Sequence, residues 1–227
     1  MSLEYSEISE AVAPMRSLHL IDEISHRVVN EYTEASCALG QAARAARDPR
    51  AELALISAAT RLRAQAEAHR ALQAPLVDGP MDLAEYVGQL CACLARAPLA
   101  ENGMRLRVSA DEIWLDAGSC WRVGLIIAEL VRNAARHGLA GGAGAIWVVV
   151  DGAAGRVRCS VCDDGGGTPG VRPGRGRRLV QALAGELGGS VDWRFAPNGC
   201  CAVLEFARPA ERAEATAALP ASGLRFR

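Results

Sequence analysis

In "SHRVVN", residues 25–30, an imidazole is followed at once by a cation and four residues later by an amide. A neutral, exposed imidazole is a nucleophile able to attack a phosphoryl group, the more so where a neighbouring acid takes its proton. Glu23, His26 and Asn30 fall roughly 140–160° from the centre of the apolar stripe of the helix they belong to. That stripe runs through Leu18, Ile21, Ile24, Val28, Tyr32, Ala35 and Leu39. The histidine is thus expected on the solvent side of a rigid stem. His69 falls on the apolar side of the next helical segment and reads as a packed residue.

Two further clusters carry chemistry. In "ELVRNAARHG", residues 129–138, Glu129, Asn133 and Arg136 share one helical face. A carboxylate and an amide oxygen are hard ligands suited to Mg²⁺, and the cation suits the phosphates that accompany it. In "VCDDGGGTPG", residues 161–170, glycines end a β-rich run, and "GRGRRLV", residues 174–180, opens a helix soon after. Glycines there allow close backbone approach, and the helix start offers free N–H groups to an anion. Neither turn is a dinucleotide fingerprint, and the chain has no P-loop.

These residues need elements to hold them. Residues 15–46 read as one helix, "RDPR" at 47–50 as a break, and 51–73 as a second helix with Leu55, Ala59, Leu62, Ala66 and His69 on one side. A hairpin cannot enclose its own stripe, so a second copy completing a four-helix bundle is expected. After "APLVDGP" (74–80) the pattern changes. Helices at 81–97, 119–138 and 176–189 alternate with strands "MRLRVSA", "IWLDA", "AIWVVVD", "RVRCSVCDD", "SVDWRF" and "CCAVLEFA". The fold class is α+β, with helices on one face of a mixed sheet. The expected division is a hairpin at 1–74, a linker at 75–80, an α/β domain at 81–207 and a flexible tail at 208–227.

Composition narrows the class of protein. The net charge of −1 over 227 residues argues against nucleic-acid binding, and the use of Arg for all 25 basic residues reads as a compositional bias. No apolar run approaches the ~18 residues of a membrane span, so a cytoplasmic chain without a membrane segment is expected. The eight cysteines show no metal-ligand rhythm and read as small core-filling thiols.

In this order the motifs resemble the transmitter region of bacterial histidine kinases, in the group related to the HWE-type enzymes. "SHRVVN" resembles the H-box, "RLRAQAEAHRAL" the second hairpin helix and "ELVRNAARHG" the N-box. "DDGGG" and "GRGRRLVQALAGELGGSV" resemble the two glycine boxes. The resemblance spans about residues 18–207. It implies an α/β sandwich of the class shared with DNA gyrase and MutL, with ATP and Mg²⁺ as cofactors. It also implies that His26 accepts phosphate, assisted by Glu23 and Asn30, with Glu129 catalytic and Asn133 the expected metal ligand. Arg136 and His137 would lie near the phosphates, and Asp163 would accept a hydrogen bond from the adenine amino group. Gly165 and Gly167 would shape that pocket, while Gly174 and Gly176 would approach the phosphates. The chain departs from the pattern in three ways: Val29 stands in the place of the H-box Lys, "TPGVRP" between the glycine boxes is short, and Arg177 replaces an apolar residue.

The activity implied is ATP-dependent autophosphorylation on His26 and transfer to the receiver-domain aspartate of a response regulator, by a homodimer joined through the hairpin. The alternative is a histidine phosphotransferase that relays phosphate between regulators without binding ATP. A serine kinase with the same ATPase fold is a third reading, but it would have no use for the histidine-bearing hairpin.

Overall fold

The computed structural model describes residues 27–75, 78–99, 102–166 and 175–208. Glu23, His26, Gly167 and Gly174, and the tail from residue 209, lie outside the described residues.

The first described helix, α1, covers 27–45. It turns at once into α2, Pro49–Ala71, because Asp48 caps the second helix, its carboxylate accepting from Arg50 N at 3.1 Å, with Pro49 in the first turn. Pro is tolerated there because the missing N–H would have no partner anyway. The two helices run antiparallel: Tyr32 packs against His69 with ring centroids 5.5 Å apart, and Arg70 Nη2 donates to Thr33 Oγ1. The buried line of α1 is Val29, Ser36 and Ala43, seven residues apart, with Val28, Tyr32 and Leu39 half-buried beside it. The expected stripe is therefore rotated slightly, and Ala35 is exposed. Ser36 is tolerated at the seam because its hydroxyl donates to Thr33 O. On α2 the buried residues are Ala59, Ala64, Ala66 and Ala68, while Leu53 and Ile56 stay exposed.

The rest is a two-layer α/β sandwich. Strands β1 (Pro80–Asp82) and β3 (Trp114–Asp116) form a short antiparallel pair. The main sheet has the order β2 (Met104–Ala110), β4 (Gly144–Ala153), β5 (Arg156–Asp163), β7 (Gly199–Ala207), β6 (Ser190–Ala196). Only β2–β4 is parallel. Helices α3 (Leu83–Leu94), α4 (Ala117–Asn133) and α5 (Arg175–Glu186) cover one face. The alternation of β4 and β5 explains the layering: Ile146, Val148, Val150, Val157, Cys159 and Val161 point at the helices and are buried with Val123, Ile127 and Val180.

Burial pushes the thiols of Cys91, Cys120 and Cys159 up to about 12, which keeps them protonated fillers of the core. Cys162 and Cys201 differ from that expectation. They face each other in register across β5 and β7 and are joined by a disulfide. Their separation of 39 residues conceals in the sequence what the sheet register brings together.

The hairpin is fastened to the sandwich at the end of α2. Tyr86 Oη donates to Ala71 O at 3.0 Å and Trp121 Nε1 to Leu72 O at 2.9 Å, pairing carbonyls that a helix end leaves without partners. Among the described residues, no helix is long and apolar enough to cross a membrane.

Helix α4 begins at a strong cap: Asp116 accepts from Ser119 N at 2.8 Å and from Ser119 Oγ at 2.7 Å. Replacing Asp116 by Ala removes both bonds. It is expected to cost about 1 kcal/mol and lower the unfolding midpoint by about 2–4 °C, as read by thermal denaturation.

Candidate functional site

A cavity of about 430 Å³ opens between α4, α5 and the ends of β5, β6 and β7. Its lining includes Glu129, Asn133, Arg136, His137, Asp163 and Gly176. The two sequence clusters, some thirty residues apart, therefore meet in one place. Gly165 lies behind the wall, next to the lining residue Gly166. Asn30 is exposed on α1 and does not line the cavity.

Helix α4 supplies one wall. Beyond Asn133 it widens into a π-helical turn, Ala134–Gly138, closed by Leu139 N donating to Ala134 O at 2.8 Å. Such turns disturb the regular ladder and recur at functional sites. This one brings Arg136, His137 and Gly138 to the mouth and floor of the cavity.

The floor is a backbone crossing. A Cβ at Gly165 would run into the Gly138 carbonyl, and one at Gly138 would run into the Asp163 carboxylate. Gly166 N donates to Gly138 O at 3.1 Å. Asp164, just after the strand, accepts from Ala145 N at 2.7 Å and ties the turn to β4. The crossing needs glycine at Gly165 because two backbones touch there, and at Gly138 because the Asp163 carboxylate fills the place of a side chain. Gly138 and Asp164 were not expected in this role. The signal in the sequence was present, since "HG" closes the helical pattern and the acid pair precedes the glycines.

Asp163 is buried, with 8% of its surface exposed. Burial raises its carboxyl above the ordinary value, hydrogen bonds from Gly165 and Cys200 partly offset this, and Asp164 raises it further. Gly165 N donates to Asp163 Oδ1 at 3.1 Å. The carboxylate is thus held at the cavity wall with capacity left for an incoming N–H donor.

At the other side Glu129 pairs with Arg132, Oε2 to Nη1 at 2.6 Å. Its remaining oxygen lies so close to Gly176 that any side chain there would collide with it. Around the cavity stand three arginines, 136, 175 and 177, against the carboxylates of Glu129 and Asp163, a balance that favours a polyanion. Among the described residues no group of three or more His, Cys, Asp and Glu could enclose a metal ion. A divalent cation here would take one or two protein oxygens and complete its shell with phosphate and water, the usual habit of Mg²⁺. Glu129 and Asn133 fit that demand.

His69, read as packed, is half-buried against Tyr32. Burial and then the charge of Arg132 lower its pKa, so it is neutral at neutral pH. Arg175, Trp193, Phe195 and Cys200 also line the cavity and were missed in the sequence, because only the β6–β7 hairpin register brings the last three there.

Comparison with known proteins gives a consistent picture. The histidine kinase family HisKA_2 matches residues 23–97. The histidine kinase domain of a blue-light activated histidine kinase from Erythrobacter litoralis is similar in structure, with TM-score 0.55 at 20% identity over 77% of this chain and 95% of that one. A longer form of that kinase aligns at TM-score 0.55 and 21% identity over 66% of this chain and 55% of its own, so the chain spans about half its length. The catalytic domain of the histidine kinase ThkA aligns at TM-score 0.50 and 18% identity over 59% of this chain and 97% of that domain. No curated protein matches the chain. The family match covers the hairpin and the start of the sandwich, and the sandwich beyond it has the fold of histidine kinase catalytic domains.

Proposed function

We propose that the chain is the core of a two-component histidine kinase. On this reading the cavity takes ATP with Mg²⁺, His26 receives the γ-phosphoryl group, and the aspartate of a response-regulator receiver domain takes it next. The observation that carries the reading is the convergence of Glu129, Asn133, Arg136, Asp163 and Gly176 on one cavity of about 430 Å³. A histidine phosphotransferase relaying phosphate without nucleotide would have no need to keep them together.

The division of the chain follows from that reading: a dimerising hairpin at 1–74, a linker at 75–80, the nucleotide domain at 81–207 and a tail from 208. Two hairpins would bury the exposed Leu53 and Ile56 in a four-helix bundle. His26 is the nucleophile, and Glu23 and Asn30 have the roles of accepting and orienting its proton. Bound Mg²⁺ would neutralise charge on the phosphates. The protein's share of phosphoryl transfer is positioning and charge neutralisation. Asn133 and Glu129 present the oxygens, Arg136 and His137 meet the phosphate oxygens, and Gly174 and Gly176 are the glycines that approach the phosphates. Asp163 accepts from the adenine amino group, with Gly165 and Gly167 shaping that end. Delivery to His26 needs the nucleotide domain to swing about the end of α2, so motion there belongs to the cycle.

Incubation with γ-labelled ATP is expected to give an acid-labile, base-stable label, the signature of phosphohistidine. His26→Ala should abolish it while calorimetric ATP binding persists; full labelling of that variant would move the acceptor elsewhere. Asn133→Ala is expected to weaken ATP binding in Mg²⁺ at least tenfold, about 1.4 kcal/mol, and to change it little in chelator. Equal loss in both media would remove Asn133 from the metal.

Asp163 adds a pH dependence. Its folded pKa is raised, and only the ionised form accepts freely from an amino group. Nucleotide affinity should therefore fall on acidification while the pH is still above the ordinary aspartate value of about 4. Titration calorimetry between neutral and mildly acidic pH checks this, and Asp163→Asn should flatten the curve. A wild-type affinity independent of pH in that range would separate Asp163 from the base.

A further inference from the structure

Arg177 occupies a position where the glycine box it resembles carries an apolar residue. The structure shows what the arginine does there. Its guanidinium carbon lies 5.5 Å from the ring centroid of Trp193 and 5.1 Å from that of Phe195, and all three residues line the cavity. Trp193 and Phe195 stand two apart on β6 and so share one face, the face turned toward the helices. The register Phe195–Cys200–Asp163 carries this group across β6, β7 and β5 to the level of Asp163. The cation and its two rings therefore belong to the Asp163 end of the cavity.

A guanidinium is planar and weakly hydrated, and it stacks on aromatic faces. With rings on one side and the cavity on the other, it offers its free face to another flat group. Beside an acceptor carboxylate and the half-buried Cys200, a nucleobase is the flat group that fits. We propose that Arg177, braced by Trp193 and Phe195, is the stacking platform for the base of the bound nucleotide, and so a residue that sets its affinity and selectivity. The proposal rests on the nucleotide reading of the cavity.

The test compares two ligands in Mg²⁺: ADP, measured by calorimetry, and inorganic tripolyphosphate, measured by displacement of ADP. Arg177→Leu and Arg177→Lys should each raise the Kd for ADP about tenfold, the scale of one lost base stack, and shift tripolyphosphate by less than twofold. Lysine keeps the charge but not the plane, so wild-type ADP affinity in R177K overturns the proposal. So does unchanged ADP affinity in R177L, or parallel weakening of both ligands, which would make Arg177 a phosphate contact. Failure of the unmutated chain to bind ADP would instead bring down the nucleotide reading itself, and that result needs no variant. Melting curves of both variants confirm that the fold is retained.

Discussion

The site depends on a contact between two backbones. Where the end of α4 meets the end of β5, Gly138 and Gly165 touch with no side chain between them, and Gly166 N–H closes the crossing on the Gly138 carbonyl. This contact sets the distance between the α4 wall, with Asn133 and Glu129, and the Asp163 carboxylate. A methyl group at Gly165 would have to push helix and strand apart, and one at Gly138 would displace the Asp163 carboxylate. The adjacent bond from Asp164 to Ala145 N–H holds the same turn to the neighbouring strand, so the crossing is fastened from both sides.

That arrangement carries a cost in stability. An aspartate whose folded pKa lies above its unfolded one binds protons more readily in the folded state. Its contribution therefore favours folding at low pH and fades as pH rises through the folded value, so at neutral pH the buried charge opposes folding. Hydrogen bonds from Gly165 and Cys200 relieve part of the cost without removing it. A chain selected only for stability would place an apolar residue there. A buried acid with a cavity in front of it suits the proposed acceptance of an incoming N–H donor.

How much of this could be read in the sequence follows from the range of each signal. The hairpin, the mixed sheet with helices on one face and the meeting of Asn133 with Asp163 were legible, because periodicity and glycine-rich turns act over a few residues. The turn at 47–50 was legible for the same reason, Pro49 marking the helix start. The exact seam of α1 was not. A stripe of Val28, Ala35 and Leu39 and one of Val29, Ser36 and Ala43 differ by a small rotation, and packing against α2 decides between them. The Cys162–Cys201 pairing and the rings beneath Arg177 depend on strand register, which no local pattern encodes. Arg177 itself looked like a loss of an apolar residue. The rings of Trp193 and Phe195 on β6 give the guanidinium an apolar surface to lie against.

Helix α4 serves both halves of the molecule. Asn133 and Glu129 face the cavity, while Arg132, one residue before Asn133, pairs with Glu129 and projects its charge toward His69 on the hairpin. Trp121, at the other end of the same helix, donates to the last turn of α2. A helix is stiff along its axis, so the contacts to the hairpin and the cavity-lining residues sit on one rigid element. The ion pair at 2.6 Å keeps Glu129 oriented despite the exposure of Arg132, because its carboxylate is also confined by Gly176. Stem and cavity thus share one helix, whose two sides carry polar contacts of both.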